Sequence, residues 1–376
     1  MKSMKGRAIG LCVLAVLGAA CSSSDDDNEL PPTGTNYYAY VCNSSSDKIS
    51  GYSINTTTGA WTVVPGSPFA AGDDPISVAV EPRGKFAFVA NTISSNVSVY
   101  AITATTGALS EISGSPFTTR TTYKPCSLAV DGSGRFLYVR HLEDEVSAFS
   151  INSATGALTE IAGSPYSIGT DGGNSDMMVD PHGYYLLYVT NFARGVYGYT
   201  MDFDTGALSP VPGSPFHALN STRALSLAMD PQSKFLYIGD DDSGITVFGV
   251  DWASGHLALY GSWLPAPDYP FSMAVDPTGK FLYATDVYGD EIFGYIIDAA
   301  TGALTGVFNS PFATGSSASD IAFGPESKFA YVANSGSANI SAYAIDPASG
   351  VLTPLSGSPI PVTGGAVSIA IVKITY

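Results

Sequence analysis

The chain has 376 residues, 45% hydrophobic and only 13% charged, with 40 Gly, 24 Pro and 40 Tyr plus Phe, a composition suited to many short strands joined by tight turns. Lys and Arg number 16 against 33 Asp and Glu, for a formal charge of −17. Such a surface repels polyphosphate backbones, which excludes nucleic acid as a partner.

Residues 1–20 join a basic start (Lys2, Lys5, Arg7) to an apolar run from Ala8 to Ala20, and Cys21-Ser-Ser-Ser-Asp-Asp-Asp27 follows at once. This pattern predicts an export signal, and the run is too short for a bilayer span. Leu17-Gly-Ala-Ala-Cys21 resembles the lipobox of bacterial lipoproteins. The resemblance implies acylation of Cys21 and a membrane partner reached through a lipid anchor, whose binding grows by about 0.8 kcal/mol per buried methylene. Ser22 after the cysteine resembles the outer-membrane sorting pattern of a Gram-negative envelope. Removing the three basic residues leaves 13 cations against 33 anions, a charge near −20. Residues 21–36 read as a polar, acidic tether without apolar periodicity.

From residue 37 to 376 one unit recurs. Its signature is Phe329-Ala-Tyr-Val-Ala-Asn334, with versions ending at Asn43, Asn91, His141, Asn191, Asp240 and Asp286, 46 to 50 positions apart. A period of this length indicates a solenoid, propeller or array. Each unit reads as four strands, A to D. In the second, A is Ser77–Val80, B is Phe86–Ala90, C is Asn96–Ile102 and D is Leu109–Ile112. Pro-x-Gly-Lys turns (Pro82 to Lys85, Pro277 to Lys280) separate A from B, and Thr-Gly pairs (Thr106-Gly107, Thr205-Gly206, Thr301-Gly302) separate C from D. The first unit lacks strand A, whereas the chain ends in an orphan A-like strand, Val367-Ser-Ile-Ala-Ile371. Pairing the two closes a ring and hides its edges, so the prediction is an all-β, seven-bladed propeller of four-stranded antiparallel blades.

The Asp-Pro-x-Gly-Lys-Phe-x-Tyr-Val-Ala-Asn pattern, Tyr188-Val-Thr-Asn191 and the Thr-Gly-Ala-Leu turns resemble the YVTN-repeat and lactonase-type (6-phosphogluconolactonase-like) propellers over all of residues 37–376. The resemblance implies hydrolysis of a sugar-acid or muconate lactone, with histidines at the start of inner strands. This chain carries Ser77, Ser127, Asp176, Ser226, Ser272, Asp320 and Ser368 at those places. Lactone hydrolysis needs a base for water and donors for the oxyanion. The candidates at the channel mouth are His141 and His217 for the base, with Arg194, Arg223 and Arg120 to hold an anion. Asp176 and Asp320 are candidate ligand-binding groups. The Ser and Asp ring also has a structural reading, hydrogen bonding to backbone at the inner strand ends. Acidic loops on neighbouring blades, Asp240 to Asp242 with Asp286 and Asp290, offer oxygen ligands for Ca²⁺; no other cofactor is implied. Lys85, Arg135, Lys234, Lys280, Lys328, His182 and His256 belong to the opposite face. Cys42 and Cys126 fall on blades 1 and 3, too far apart for the ~4.4–6.8 Å Cα separation of a disulfide, and read as buried thiols. With no histidine on the inner strands, the sequence puts a surface-anchored binding or scaffolding module first and a lactone hydrolase second.

Overall fold

The computed structural model describes residues 34–376 except 120–123, 171–175, 218–222, 242–243, 261–266 and 268. Seven antiparallel sheets follow one another along the chain, each ordered A-B-C-D from the inner strand outward. Strand B of blades 2 to 7 (Phe86–Asn91, Phe136–His141, Leu186–Asn191, Phe235–Asp240, Phe281–Asp286, Phe329–Asn334) is buried along its whole length. That is why these segments are apolar on both faces: sheets pack against each side. The outer strands, such as Leu109–Glu111 and Leu158–Glu160, bury only their first residue.

Closure is as expected. The C-terminal strand Ala366–Thr375 pairs with Thr35–Asn43 from Thr35 opposite Thr375 to Asn43 opposite Ala366, supplying blade 1 with its inner strand. The first strand begins at Thr35 rather than Tyr37.

Two repeated contacts explain the signature. The strand B tyrosine donates its hydroxyl to the carbonyl of the Thr-Gly or equivalent turn glycine on the next blade: Tyr40 to Gly107, Tyr138 to Gly206, Tyr188 to Gly255, Tyr283 to Gly350 and Tyr331 to Gly59, at 2.7–2.9 Å. The last of these clasps blade 7 to blade 1. The glycine itself has φ near +70° and faces the side chain that opens the neighbour's strand B, an aromatic ring in four of the five and Leu186 at Gly255; at Gly59 a Cβ would come within 2.6 Å of Phe329. Backbone geometry and close approach both demand glycine there.

One element escaped the sequence reading. After strand D, a Gly-Ser-Pro segment with a cis Ser-Pro bond leads into a two-residue strand, such as Phe69–Ala70 or Phe117–Thr118, that pairs back on strand C. The serine accepts a strand C backbone N–H, as Ser115 does from Val99 and Ser358 from Ala342, both at 2.9 Å.

Candidate functional site at the channel mouth

Residues of all seven blades line one cavity of about 440 Å³, within the ~300–1,000 Å³ range of small-molecule sites. Its wall follows from a β-bulge at the start of the inner strands. The register slips between Pro75 and Ser77, Pro125 and Ser127, Ala224 and Ser226, and Ala318 and Asp320. Each slip turns an extra residue, Ile76, Cys126, Leu225 or Ser319, into the mouth beside the residue that follows it. Phe271 and Val367 do the same in blades 6 and 1. The lining therefore sets bulge residues, apolar in Ile76, Leu225, Phe271 and Val367, beside a polar ring.

The ring stitches the blades together. Ser77 accepts the Leu128 N–H of the next blade at 3.1 Å, Ser368 accepts Val78 N–H at 3.4 Å, Asp176 accepts Leu227 N–H at 3.0 Å and Asp320 accepts Ile369 N–H at 2.8 Å. Ser226 is fully buried and instead donates to the Pro270 carbonyl at 2.7 Å.

Serine performs this task on blades 1 and 2, where a neutral hydroxyl suffices for the stitching. Burial pushes Asp176 up to about 6, against the N–H bonds from Leu227 and Met177 and the positive charge of Arg140, which all favour the anion. Burial likewise pushes Asp320 up to about 6, against N–H bonds from Ile369 and Ile321 and the Ser272 hydroxyl, with the charge of Asp176 adding to the rise. The charge of Asp176 is thus felt at Asp320, the other carboxylate of the ring. Asp320 receives three donors, including Ser272 Oγ at 3.1 Å, whereas Asp176 receives two. A carboxylate offers about four acceptor positions, so Asp176 keeps more of its capacity for a water.

Behind Asp176 lies Arg140, fully buried, whose Nη1 donates to Cys126 Sγ at 2.8 Å. It was legible as an anomaly: its column of the repeat otherwise holds Cys42, Ala90, Thr190, Gly239, Thr285 and Ala333. Cys42 is a buried free thiol as expected, but Cys126, also free, lines the channel rather than the core. Burial pushes the Cys126 thiol up and Arg140 pulls it back.

The expected bases and anion holders lie elsewhere. His141 is fully buried between strands, its Nε2 2.9 Å from Ser147 Oγ. Asn43, Asn91 and Asn334 make the same contact to Ser50, Ser98 and Ser341, so His141 fills a structural asparagine position and is corrected as a channel base. His217 is exposed beyond Phe216, which bridges to strand C of blade 4, outside the cavity lining. Arg194 bonds the Thr170 carbonyl and hydroxyl, and Arg223 pairs with Asp241 at 3.1 Å over the Phe192 ring. Arg120 and Asp242 lie outside the described residues.

Of the expected calcium ligands, Asp286 accepts the Tyr288 and Gly289 N–H groups and Asp290 accepts the Ser317 N–H, while Thr246 donates to Asp240. Among the described residues no three His, Cys, Asp or Glu side chains are grouped to hold a metal ion. A smaller cavity of about 310 Å³ opens on the opposite face, beside His182 and Tyr185. Its carboxylates, Asp131 and Asp180, are engaged by turn N–H groups.

Fold and site together define a closed seven-bladed propeller with a polar, acid-bearing channel mouth. The model of the lactonase family of seven-bladed β-propellers matches residues 29–222 and 214–312, so the chain belongs to that family. A 6-phosphogluconolactonase of Formosa agariphila is 28% identical over 102 residues, which span 26% of this chain and 29% of that protein's length. Among solved structures, a Bacteroides fragilis protein proposed to be a 6-phosphogluconolactonase superposes with a TM-score of 0.76 at 20% identity, covering 90% of this chain and 98% of its own. The Pseudomonas aeruginosa periplasmic gluconolactonase gives 0.72 at 20% identity, covering 90% and 99%. These findings overturn the binding or scaffolding module as the leading expectation. The lack of histidine on the inner strands is no argument against a hydrolase, because carboxylates stand in the same ring.

Proposed function

We propose that the chain is a lactone hydrolase acting at the channel mouth, with Asp176 as the base that activates water. The observation that carries this reading is the pair Asp176 and Asp320, delivered from blades 4 and 7 to one cavity and both pushed up to about 6. A carboxylate of that basicity is ionised at neutral pH yet basic enough to accept a proton as water attacks. The water oxygen bonds to the acyl carbon, Asp176 takes its proton, and the carbonyl oxygen becomes an oxyanion. Ser77 and Ser368 accept inter-blade N–H groups and so keep their own O–H hydrogens to donate to that oxyanion. On collapse the acyl bond to the ring oxygen breaks, the ring oxygen takes the proton back from Asp176, and the product acid ionises to an aldonate and a released proton.

The test is proton release from a panel of aldonolactones with the soluble fragment from residue 28 onward. Saturable turnover is expected, falling at least ~100-fold in Asp176→Asn and little changed in His141→Asn. Turnover that survives Asp176→Asn but disappears in His141→Asn would reverse the assignment. Export and acylation at Cys21 belong to the same proposal; no palmitate incorporation in the wild-type chain would remove the anchor, and incorporation that persists in Cys21→Ala would remove Cys21 as its site.

A further inference from the structure

We infer that the channel selects uncharged lactones over phosphorylated or carboxylated ones, and that Asp74 and Asp320 set this selectivity. The inference rests on the hydrolase reading above and narrows its substrate class. Among the described residues lining the cavity, the charged side chains are Asp74, Asp176 and Asp320, and none is a cation. An anionic substrate group among three carboxylates is repelled unless a guanidinium or ammonium offsets their charge. Arg140 is the buried cation nearest the site, but it is fully enclosed and directed at Cys126. Arg223 is paired with Asp241, and Arg194 is turned onto Thr170. Lys124 is exposed, its backbone N–H held by Glu143.

What the wall does offer suits a neutral sugar ring. Ile76, Leu225 and Phe271 present apolar surface for C–H faces, and Ser77, Ser127 and Ser368 present hydroxyls between them. The reaction also creates charge: an uncharged ring enters and an aldonate anion leaves. The same carboxylates that repel a phosphorylated substrate therefore repel the product, and product inhibition should be weak.

Asp74 makes the inference testable apart from the reaction chemistry. It lies at the entrance to the inner strand of blade 2, half-buried, and its φ of +56° is one that asparagine tolerates. The experiment compares kcat/KM for glucono-δ-lactone and its 6-phosphate at fixed ionic strength, in wild type, Asp74→Asn and Asp320→Asn. The neutral lactone is expected to lead by at least about 30-fold, the scale of like charges at close range in a partly screened site. Asp74→Asn should leave neutral turnover within about 2-fold and narrow the ratio several-fold, and Asp320→Asn should narrow it whatever its effect on kcat. A ratio at or below one, with turnover present, overturns this inference and leaves the hydrolase reading intact. A phosphate preference that disappears in Lys124→Ala would assign a cationic subsite at the rim and overturn the inference in the same way. Absence of turnover with both lactones removes the hydrolase reading and this inference with it.

Discussion

Two rings of inter-blade hydrogen bonds run round this propeller, and they differ in how uniform they are. The outer clasp is nearly monotonous: in five blades a tyrosine hydroxyl meets the carbonyl of a glycine held at positive φ on the next blade. The inner ring does a similar job with serine on some blades and aspartate on two. The carboxylates also accept an N–H of their own strand, from Met177 and Ile321, and Asp320 the Ser272 hydroxyl. A neutral hydroxyl stitches the strands without burying charge, while Asp176 and Asp320 are held far above the ordinary carboxylate range. Burying such groups costs stability. A departure from the repeat that costs stability is where the proposed hydrolysis is assigned.

The most severe disruption of either ring is at the seam. Truncation before Ala366 removes the inner strand of blade 1 and exposes the edge of Thr35–Asn43, and no cooperatively melting monomer is expected by calorimetry. Next in size is making the inner ring uniform. The Asp176→Ser, Asp320→Ser double variant should lose at least ~100-fold in kcat while remaining folded; retained activity would reduce both carboxylates to stitching.

The same variant sharpens the pH dependence. With native values of about 6 against an ordinary 3.8, the folded state holds more protons than the unfolded one between those limits. Stability therefore falls as pH rises through that window and levels off above it, by up to ~1.4 kcal/mol per pH unit per group. Thermal melts from pH 4 to 8 should show a steeper decline in wild type than in the double serine variant. Activity should run the other way, rising as Asp176 ionises through its value of about 6. The charges facing this pair are Arg140 on Asp176 and Asp176 on Asp320, with Cys42 and Cys126 nearby.

Smaller effects belong to the clasp. Tyr331→Phe removes one buried hydroxyl from Gly59 and should cost about 1 kcal/mol, read as a melting shift of about 2 °C with unchanged kcat/KM. The smallest is His141→Asn, which restores the repeat's own residue opposite Ser147 and should leave both stability and turnover near wild type. A large loss of turnover there would move chemistry back to the loops.

How much was legible depends on whether a feature is local and periodic. Blade number, the order of strands, the turn chemistry and the C-terminal closing strand could all be read from the recurrence of Phe-x-Tyr-Val-x-Asn and Thr-Gly, because each copy repeats the same backbone requirement. The seven ring positions, including Asp176 and Asp320, could be located by the same alignment. Their significance could not, since a raised carboxylate depends on burial among seven blades that are hundreds of residues apart in the chain. His141 misled because a histidine invites chemistry, whereas only the fold shows it bonded to Ser147 as an asparagine is elsewhere. Arg140 was visible as a large cation in a column of small residues, but its partner Cys126 became evident only through strand pairing and the bulge that turns that thiol into the channel. The sequence determined the propeller by itself, through periodic apolar runs and turn residues that act at short range. Tertiary structure decided the site, because desolvation, charge coupling and the lining of a channel arise only when distant strands converge.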